Sequence, residues 1–151
     1  MEQTSPEKRL EEKEARETKA RLAGERQKRG AVYAPAAFNA LCGEVKDARA
    51  QYKDCAVGVS RDRGSLTIHR GSFPAFYLKI GPPDGTNLIA FEGWLRMHRT
   101  ADREDLAGVV EVLPDDKRPG QFVLYYGDGE ETADASVADQ ILSRILEVLT
   151  P

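Results

Sequence analysis

A two-residue alternation of side-chain character over residues 86–100 constrains the fold of this 151-residue chain more than any other feature. Such alternation is typical of a β-strand that has one face in a core and the other face outside it. The first set of alternate positions is apolar or small: Ile89, Phe91, Gly93, Leu95 and Met97. The second set mixes apolar, aromatic and charged side chains: Leu88, Ala90, Glu92, Trp94, Arg96 and His98. This pattern predicts a packed side of the molecule and a side that carries its chemistry.

Shorter strand patterns, separated by turn-forming residues, lie on both sides of this strand. They cover residues 56–60, 65–70, 75–80, 108–113 and 121–126. In the third pattern one face carries Phe76, Leu78 and Ile80, and the other carries Tyr77 and Lys79. Gly64 suits the left-handed position of a hairpin turn, and the glycines and prolines of residues 81–85 exclude a strand there. We expect polar residues 101–105 to form a loop or a short helical turn, and the strands to pair as an antiparallel meander.

Two amphipathic helical patterns flank the strands. In the first, from residue 36 to about residue 52, Phe38, Leu41 and Val45 recur at helical spacing. The second covers residues 137–149 and has a broad apolar stripe. Helices gathered on one face of an antiparallel sheet give a two-layer α+β architecture. We therefore predict a five- to six-stranded antiparallel sheet with two helices packed on one face.

The first thirty residues form a separate, highly charged segment with nine Lys or Arg and seven Glu side chains. Ser5 followed by Pro6 predicts the start of a helix, with Ser5 as its cap. Glu and Arg recur four residues apart, as in Glu12 and Arg16, which stabilises an exposed helix. The segment is predicted to be a charged arm.

Gly30 is the expected end of this first helix, because glycine commonly follows the last helical turn. Residues 31–35 are then a connector to the next helix. The predicted organisation is a helical or disordered arm over residues 1–30 and a single α+β domain over residues 31–151.

Several classes of protein do not fit this sequence. The apolar runs are too short for a membrane helix, and the N-terminal segment lacks the apolar core of a signal peptide, so a cytoplasmic location is expected. Cys42 and Cys55 are expected to be reduced, buried thiols and not a disulfide. Neither the spacing of a metal site nor a glycine-rich nucleotide-binding loop is present, so we predict no cofactor and no metal.

The exposed side of the sheet is the candidate binding surface. Its predicted residues are Tyr77, Lys79, Trp94, Arg96, His98 and His69. Since no catalytic motif accompanies them, the sequence favours a non-enzymatic interaction module over an enzyme. Such a module binds another macromolecule, either a different protein or a second copy of the chain, through its sheet face and charged arm. No membrane partner is indicated.

A single-stranded nucleic-acid-binding domain is one alternative. Bases stack on aromatic rings and phosphates pair with cations on the exposed sheets of several such domains. Here Trp94 and Tyr77 are the stacking candidates, and Lys79, Arg96 and Arg99 are the phosphate-binding candidates.

A small-ligand-binding protein or an enzyme is the other alternative. It requires a pocket between the sheet and the predicted loops 99–108 or 114–120. His69 or His98 is the candidate acid or base in that pocket, because histidine titrates near neutral pH.

Overall fold

The structure, a computed structural model, describes residues 5–50, 56–126, 131–132 and 134–149. Its elements in chain order are α1 (Pro6–Ala50), β1 (Gly58–Asp62), β2 (Ser65–Arg70), β3 (Ala75–Ile80), β4 (Leu88–Arg96), β5 (Glu104–Pro114), β6 (Phe122–Tyr126), β7 (Glu131–Thr132) and α2 (Asp134–Leu149). The predicted end of the first core helix near residue 52, and Cys55, lie outside the described residues.

The strands form one antiparallel sheet in which every strand pairs with its neighbours in sequence, in the order β1 to β7. β7 has only 2 residues, and the other six strands are longer. Arg63 and Gly64, with φ angles of 51° and 85°, form the tight turn between β1 and β2. Positive φ at both positions matches the twist of a two-residue hairpin. The predicted α+β fold with an antiparallel meander is confirmed.

Both helices pack on the same face of the sheet and form one core with it. α1 contributes Ala34, Ala37, Phe38, Leu41, Cys42, Val45 and Ala48, and α2 contributes Val137, Ala138, Ile141, Leu142 and Ile145. The strands contribute Leu66, Ile68, Phe76, Leu78, Ile80, Ile89, Phe91, Leu95, Val110, Val112 and Leu124. These strand residues occupy alternate positions, so all of them point to the helices and leave the other face of the sheet outside the core.

The division of β4 into two faces is confirmed by burial. Ile89, Phe91 and Leu95 are buried, whereas Leu88, Ala90 and Glu92 are exposed. Gly93 occupies the core face, where a β-carbon would overlap the carbonyl oxygen of Tyr77 on β3. β3 and β4 therefore approach closely at Gly93, which only glycine allows.

The predicted helix end at Gly30 and the connector over residues 31–35 are wrong, because α1 is continuous through both. Gly30 is buried against β5, where a β-carbon would overlap the carbonyl oxygen of Val112. The glycine thus permits close helix–sheet approach and does not end the helix. Pro35 lies inside the helix on an exposed position, although it removes one backbone hydrogen bond.

The start of α1 agrees with the sequence prediction. The backbone N–H of Lys8 donates to the Ser5 hydroxyl over 3.2 Å, which is the expected N-cap contact. Residues 5–23 are exposed around the whole helix. Farther along α1, the Arg26 guanidinium lies 3.2 Å from the carboxylate of Asp116, in the loop after β5. The division into an arm and a domain at residue 30 stays a prediction.

β4 is shorter than the predicted strand over residues 86–100. At its start, the Asn87 side-chain amide donates to the Val112 carbonyl over 3.2 Å, so Asn87 is buried although it precedes the strand. At its end, the chain turns after Arg96, and the N–H of Ala101 donates to the carbonyl of His98 over 3.1 Å. His98 therefore lies in a turn beyond β4 and not on the sheet.

Other element bounds also differ from the prediction. β5 begins at Glu104, so the predicted polar loop over residues 101–105 is partly strand, and β1 begins two residues later than predicted. α2 begins at Asp134, ahead of the predicted residue 137. Polar side chains on an exposed strand face resemble a loop in sequence, which explains the missed start of β5.

Candidate functional site

The sheet face opposite the helices is the candidate site, and we call it the open face. The core residues of both helices pack on the opposite side of the sheet. At the β5–β6 edge of the open face, Leu113 and Val123 are buried, and Arg26 of α1 lines a cleft beside Val123. Its strand residues include Thr67, His69, Tyr77, Lys79, Leu88, Ala90, Glu92, Trp94, Arg96, Asp105, Ala107, Val109 and Glu111. Leu88 and Val109 are 43% and 48% exposed, and Tyr77 and Trp94 are half-buried. The face therefore presents aromatic, apolar and charged side chains to solvent.

One row of side chains crosses the open face at the level of Trp94. The strand register places His69 opposite Tyr77, Tyr77 opposite Trp94, and Trp94 opposite Asp105. On β1 the row ends at Gly58, whose missing side chain leaves space that the His69 ring fills. Three of the sequence-predicted site residues are thus direct cross-strand neighbours. We call this row of three ring-bearing residues, which runs from β2 to β4, the aromatic strip.

A second row lies next to the first and is polar. The hydroxyls of Ser60 and Thr67 form a hydrogen bond of 2.6 Å. Thr67 faces Lys79, and Lys79 faces Glu92. No ion pair within 4.0 Å joins Lys79 and Glu92, and within the described part of the chain Glu92 has no hydrogen-bond partner. The Glu92 carboxylate is therefore available to an outside group.

Two other predicted site residues have different surroundings. Arg96 donates from Nε to the carbonyl of Ala101 over 2.9 Å and from Nη2 to the carbonyl of Arg99. Its guanidinium therefore stabilises the turn after β4 through these hydrogen bonds and is not free to bind a ligand. His98, placed on the open face by sequence, is exposed in that same turn.

The structure adds Arg103, which the sequence analysis left out of the site. Its guanidinium carbon lies 5.5 Å from the centre of the Trp94 ring, within the range of a cation–π contact. Arg103 Nε also lies 3.9 Å from an oxygen of Asp105. The only sequence signal was the position of Arg103 just ahead of a strand, and that strand start was not predicted.

A shallow groove of about 360 Å³ lies between these side chains. The aromatic residues Tyr77 and Trp94 and the acidic residues Glu92 and Asp105 line it. The small side chain of Ala107 lines it as well. Its volume falls at the low end of the range for small-ligand sites. Two aromatic rings beside two carboxylates are suited to a cation and unsuited to an anion.

A larger cleft of about 460 Å³ lies between α1 and the loop over residues 114–121. Within that loop the N–H of Lys117 and the guanidinium of Arg118 both donate to the Asp115 carboxylate, over 2.9 and 2.8 Å. These bonds, the first more than the second, hold the pKa of Asp115 below its ordinary value. The enzyme alternative placed a pocket at this loop, but neither His69 nor His98 lines the cleft.

The remaining ionisable groups do not gather into a metal site. Across residues 5–50, 56–126, 131–132 and 134–149, no three His, Cys, Asp or Glu side chains are arranged to hold an ion. Cys42 is buried in the core, and this burial raises the pKa of its thiol. No helix within the described ranges is long and apolar enough to span a membrane.

Comparison with protein-family models, with curated proteins and with solved structures gives no match to this chain.

Proposed function

We propose that this chain is a non-enzymatic interaction module that binds another protein through its open face and its charged arm. The observation that supports this most directly is the aromatic strip of His69, Tyr77 and Trp94, together with the exposed Leu88 and Val109 farther along the same face. Tyr, Trp and Arg are enriched where proteins bind each other, and exposed apolar side chains grouped on one face mark such surfaces.

The arm supports the same proposal. Residues 6–23 are helical and exposed on all sides, and they continue without a break into the part of α1 that packs on the sheet. At 1.5 Å per residue this exposed stretch extends by about 27 Å. Its interleaved Lys, Arg and Glu side chains favour a protein surface of mixed charge over a polyanion.

The open face is less suited to the nucleic-acid alternative. Glu92 and Asp105 flank Trp94 and would repel phosphates, and Arg103 already covers the Trp94 ring. Arg96, one of the candidate phosphate contacts, donates to backbone carbonyls instead. We therefore favour a protein partner, and we propose that it is met in the cytoplasm, where the buried free thiol of Cys42 would stay reduced.

Affinity capture with matched variants tests the proposal. The double variant Leu88→Glu with Val109→Glu places two charges on the open face, so we expect it to lose the proteins that the unmodified chain captures from its source lysate. Val32→Glu, at an exposed apolar position on α1, is the control and should retain them. Capture that is equal for all three chains would refute binding through the open face.

The nucleic-acid alternative gives a different result in the same experiment. Its captured material would be sensitive to nuclease, and its binding would weaken steeply as salt is raised, because phosphate contacts release counterions.

Variants Leu10→Glu and Leu22→Glu, at the two large apolar positions of the exposed stretch, test the contribution of the arm separately.

A further inference from the structure

We propose that the groove between Tyr77 and Trp94 binds an arginine side chain of the partner protein, and that this arginine competes with Arg103 for the Trp94 ring. This inference rests on the proposed function, since it names the chemistry that the open face recognises. It concerns a smaller region than the whole face, so the two proposals can fail separately.

The positions of four side chains carry the proposal. Tyr77 and Trp94 are direct cross-strand neighbours on β3 and β4, and Asp105 faces Trp94 from β5. Glu92 lies two residues before Trp94, on the same face of β4. A cation above the Trp94 ring would therefore have a carboxylate on each of two sides. Ring and carboxylates both attract a guanidinium, which can stack and donate several hydrogen bonds at once.

Arg103 shows that the Trp94 ring accepts a guanidinium, and it does so through a weak contact. Its Nε is 3.9 Å from the Asp105 carboxylate, longer than the 2.7–3.2 Å of an N–H···O hydrogen bond. The Arg103 side chain is 59% exposed, and exposed ion pairs contribute little stability. An arginine from outside that reaches hydrogen-bonding distance of Glu92 or Asp105 would bind more strongly than Arg103 does.

The other charges around the groove are consistent with this assignment. Lys79 faces Glu92 across the strands without an ion pair between them. Arg96 donates to the turn carbonyls, and Glu111 lies on the open face outside the groove lining. In the described ranges, Glu92 is thus the groove carboxylate without a partner, and Asp105 has only its long contact to Arg103.

The test uses the intrinsic fluorescence of Trp94, the only tryptophan among the 151 residues of the sequence. The probe is a short, end-blocked peptide of alternating glycine and arginine. Its control is the same peptide with citrulline, which keeps the size of arginine without its charge. We expect a saturable fluorescence change with the arginine peptide and none with the citrulline peptide.

Isosteric variants test whether the fluorescence change of Trp94 arises from peptide binding in the groove. Glu92→Gln and Asp105→Asn should each weaken binding about tenfold, the scale of one lost charged hydrogen bond. Glu111→Gln should leave binding unchanged. Arg103→Ala should tighten it about threefold, because a competing cation–π contact is removed.

Three results would overturn the inference. They are equal binding of the citrulline peptide, unchanged binding by both groove variants, and weaker binding by Arg103→Ala. If a captured partner depends on Leu88 and Val109 but not on Glu92 or Asp105, the arginine site is wrong and the interaction face stands. If capture is insensitive to Leu88 and Val109 while the peptide binds as expected, the arginine site stands and the larger face is wrong.

Discussion

Gly30 of α1 lies directly against the backbone of Val112 on β5, at a point where a β-carbon on residue 30 would overlap the Val112 carbonyl oxygen. The same β-carbon would lie 3.3 Å from the side chain of Asn87, which is also closer than an ordinary van der Waals contact. We predict that Gly30→Ala lowers the free energy of unfolding by about 1–3 kcal/mol, the range for overpacked sites. Urea denaturation followed by circular dichroism measures the change.

Gly43 provides the matched control on the same helix. A β-carbon there meets no atom within 4 Å, and the position is exposed. Gly43→Ala should raise the free energy of unfolding by about 0.5–1 kcal/mol, since glycine is the poorer residue inside a helix. If both substitutions change the free energy of unfolding in the same direction, the close contact between α1 and β5 is wrong.

Gly30 shows which features of the fold can be predicted from the sequence and which cannot. The alternation around Trp94 and the helical stripe of Phe38, Leu41 and Val45 predict the sheet, its core face and its helices, because periodicity depends only on local geometry. Gly30 has the sequence signature of a helix end. Its role as a close contact depends on β5, which is about eighty residues away in sequence.

Ile89 and Leu88 provide a test of the two faces of β4. They are adjacent, yet Ile89 is fully buried and Leu88 is exposed on the open face. Ile89→Ala should lower the free energy of unfolding by about 2–5 kcal/mol. Leu88→Ala should change it by no more than about 0.5 kcal/mol. A strand register shifted by one residue would reverse this order, and urea denaturation distinguishes the two.

Asp115 gives a pH-dependent prediction in the loop before β6. The N–H of Lys117, and then Arg118, lower its pKa in the folded state, so its contribution to stability is present above the ordinary aspartate pKa. That contribution is lost as the pH falls toward the lowered value. Carboxyl-carbon NMR titration should place the pKa of Asp115 below that of an unfolded-state aspartate.

Arg118→Ala separates the two causes of this shift. The Lys117 N–H bond is the larger cause and remains in the variant, so the pKa of Asp115 should rise only part of the way to its ordinary value. A full return would mean that the backbone bond has no effect. No change would mean that the contact with Arg118 does not form in solution.

In the candidate site, the direction of a strand side chain can be predicted from local sequence, but its contacts cannot. The strand pattern predicts that Trp94 and Tyr77 point away from the core, since their neighbours alternate with buried residues. Arg96 belongs to the same pattern, but backbone carbonyls of the following turn determine what its guanidinium contacts. Arg103 was missed for a related reason, because its contact with Trp94 requires the early start of β5.

Collisional quenching of Trp94 fluorescence reports on this arrangement directly. Trp94 is half-buried on the open face, so iodide and acrylamide should both quench it in the folded protein. Arg103→Ala should raise the acrylamide quenching constant, because the guanidinium above the ring is removed. Arg99→Ala makes the same charge change in the nearby turn and should leave it unaltered. A blue-shifted emission protected from both quenchers would contradict the open face.

The continuity of α1 determines whether the charged arm is held rigidly by the domain. Nitroxide labels at the exposed positions Leu22 and Asn39, in a background with Cys42→Ala and Cys55→Ser, bracket both Gly30 and Pro35. An unbroken helix places the two backbone positions about 26 Å apart, at 1.5 Å per residue. We expect electron–electron resonance to give one narrow distance distribution, as narrow as that for labels at Leu10 and Leu22. Two helices joined by a connector would give a broad distribution for the bracketing pair alone, and the arm would then move independently of the sheet.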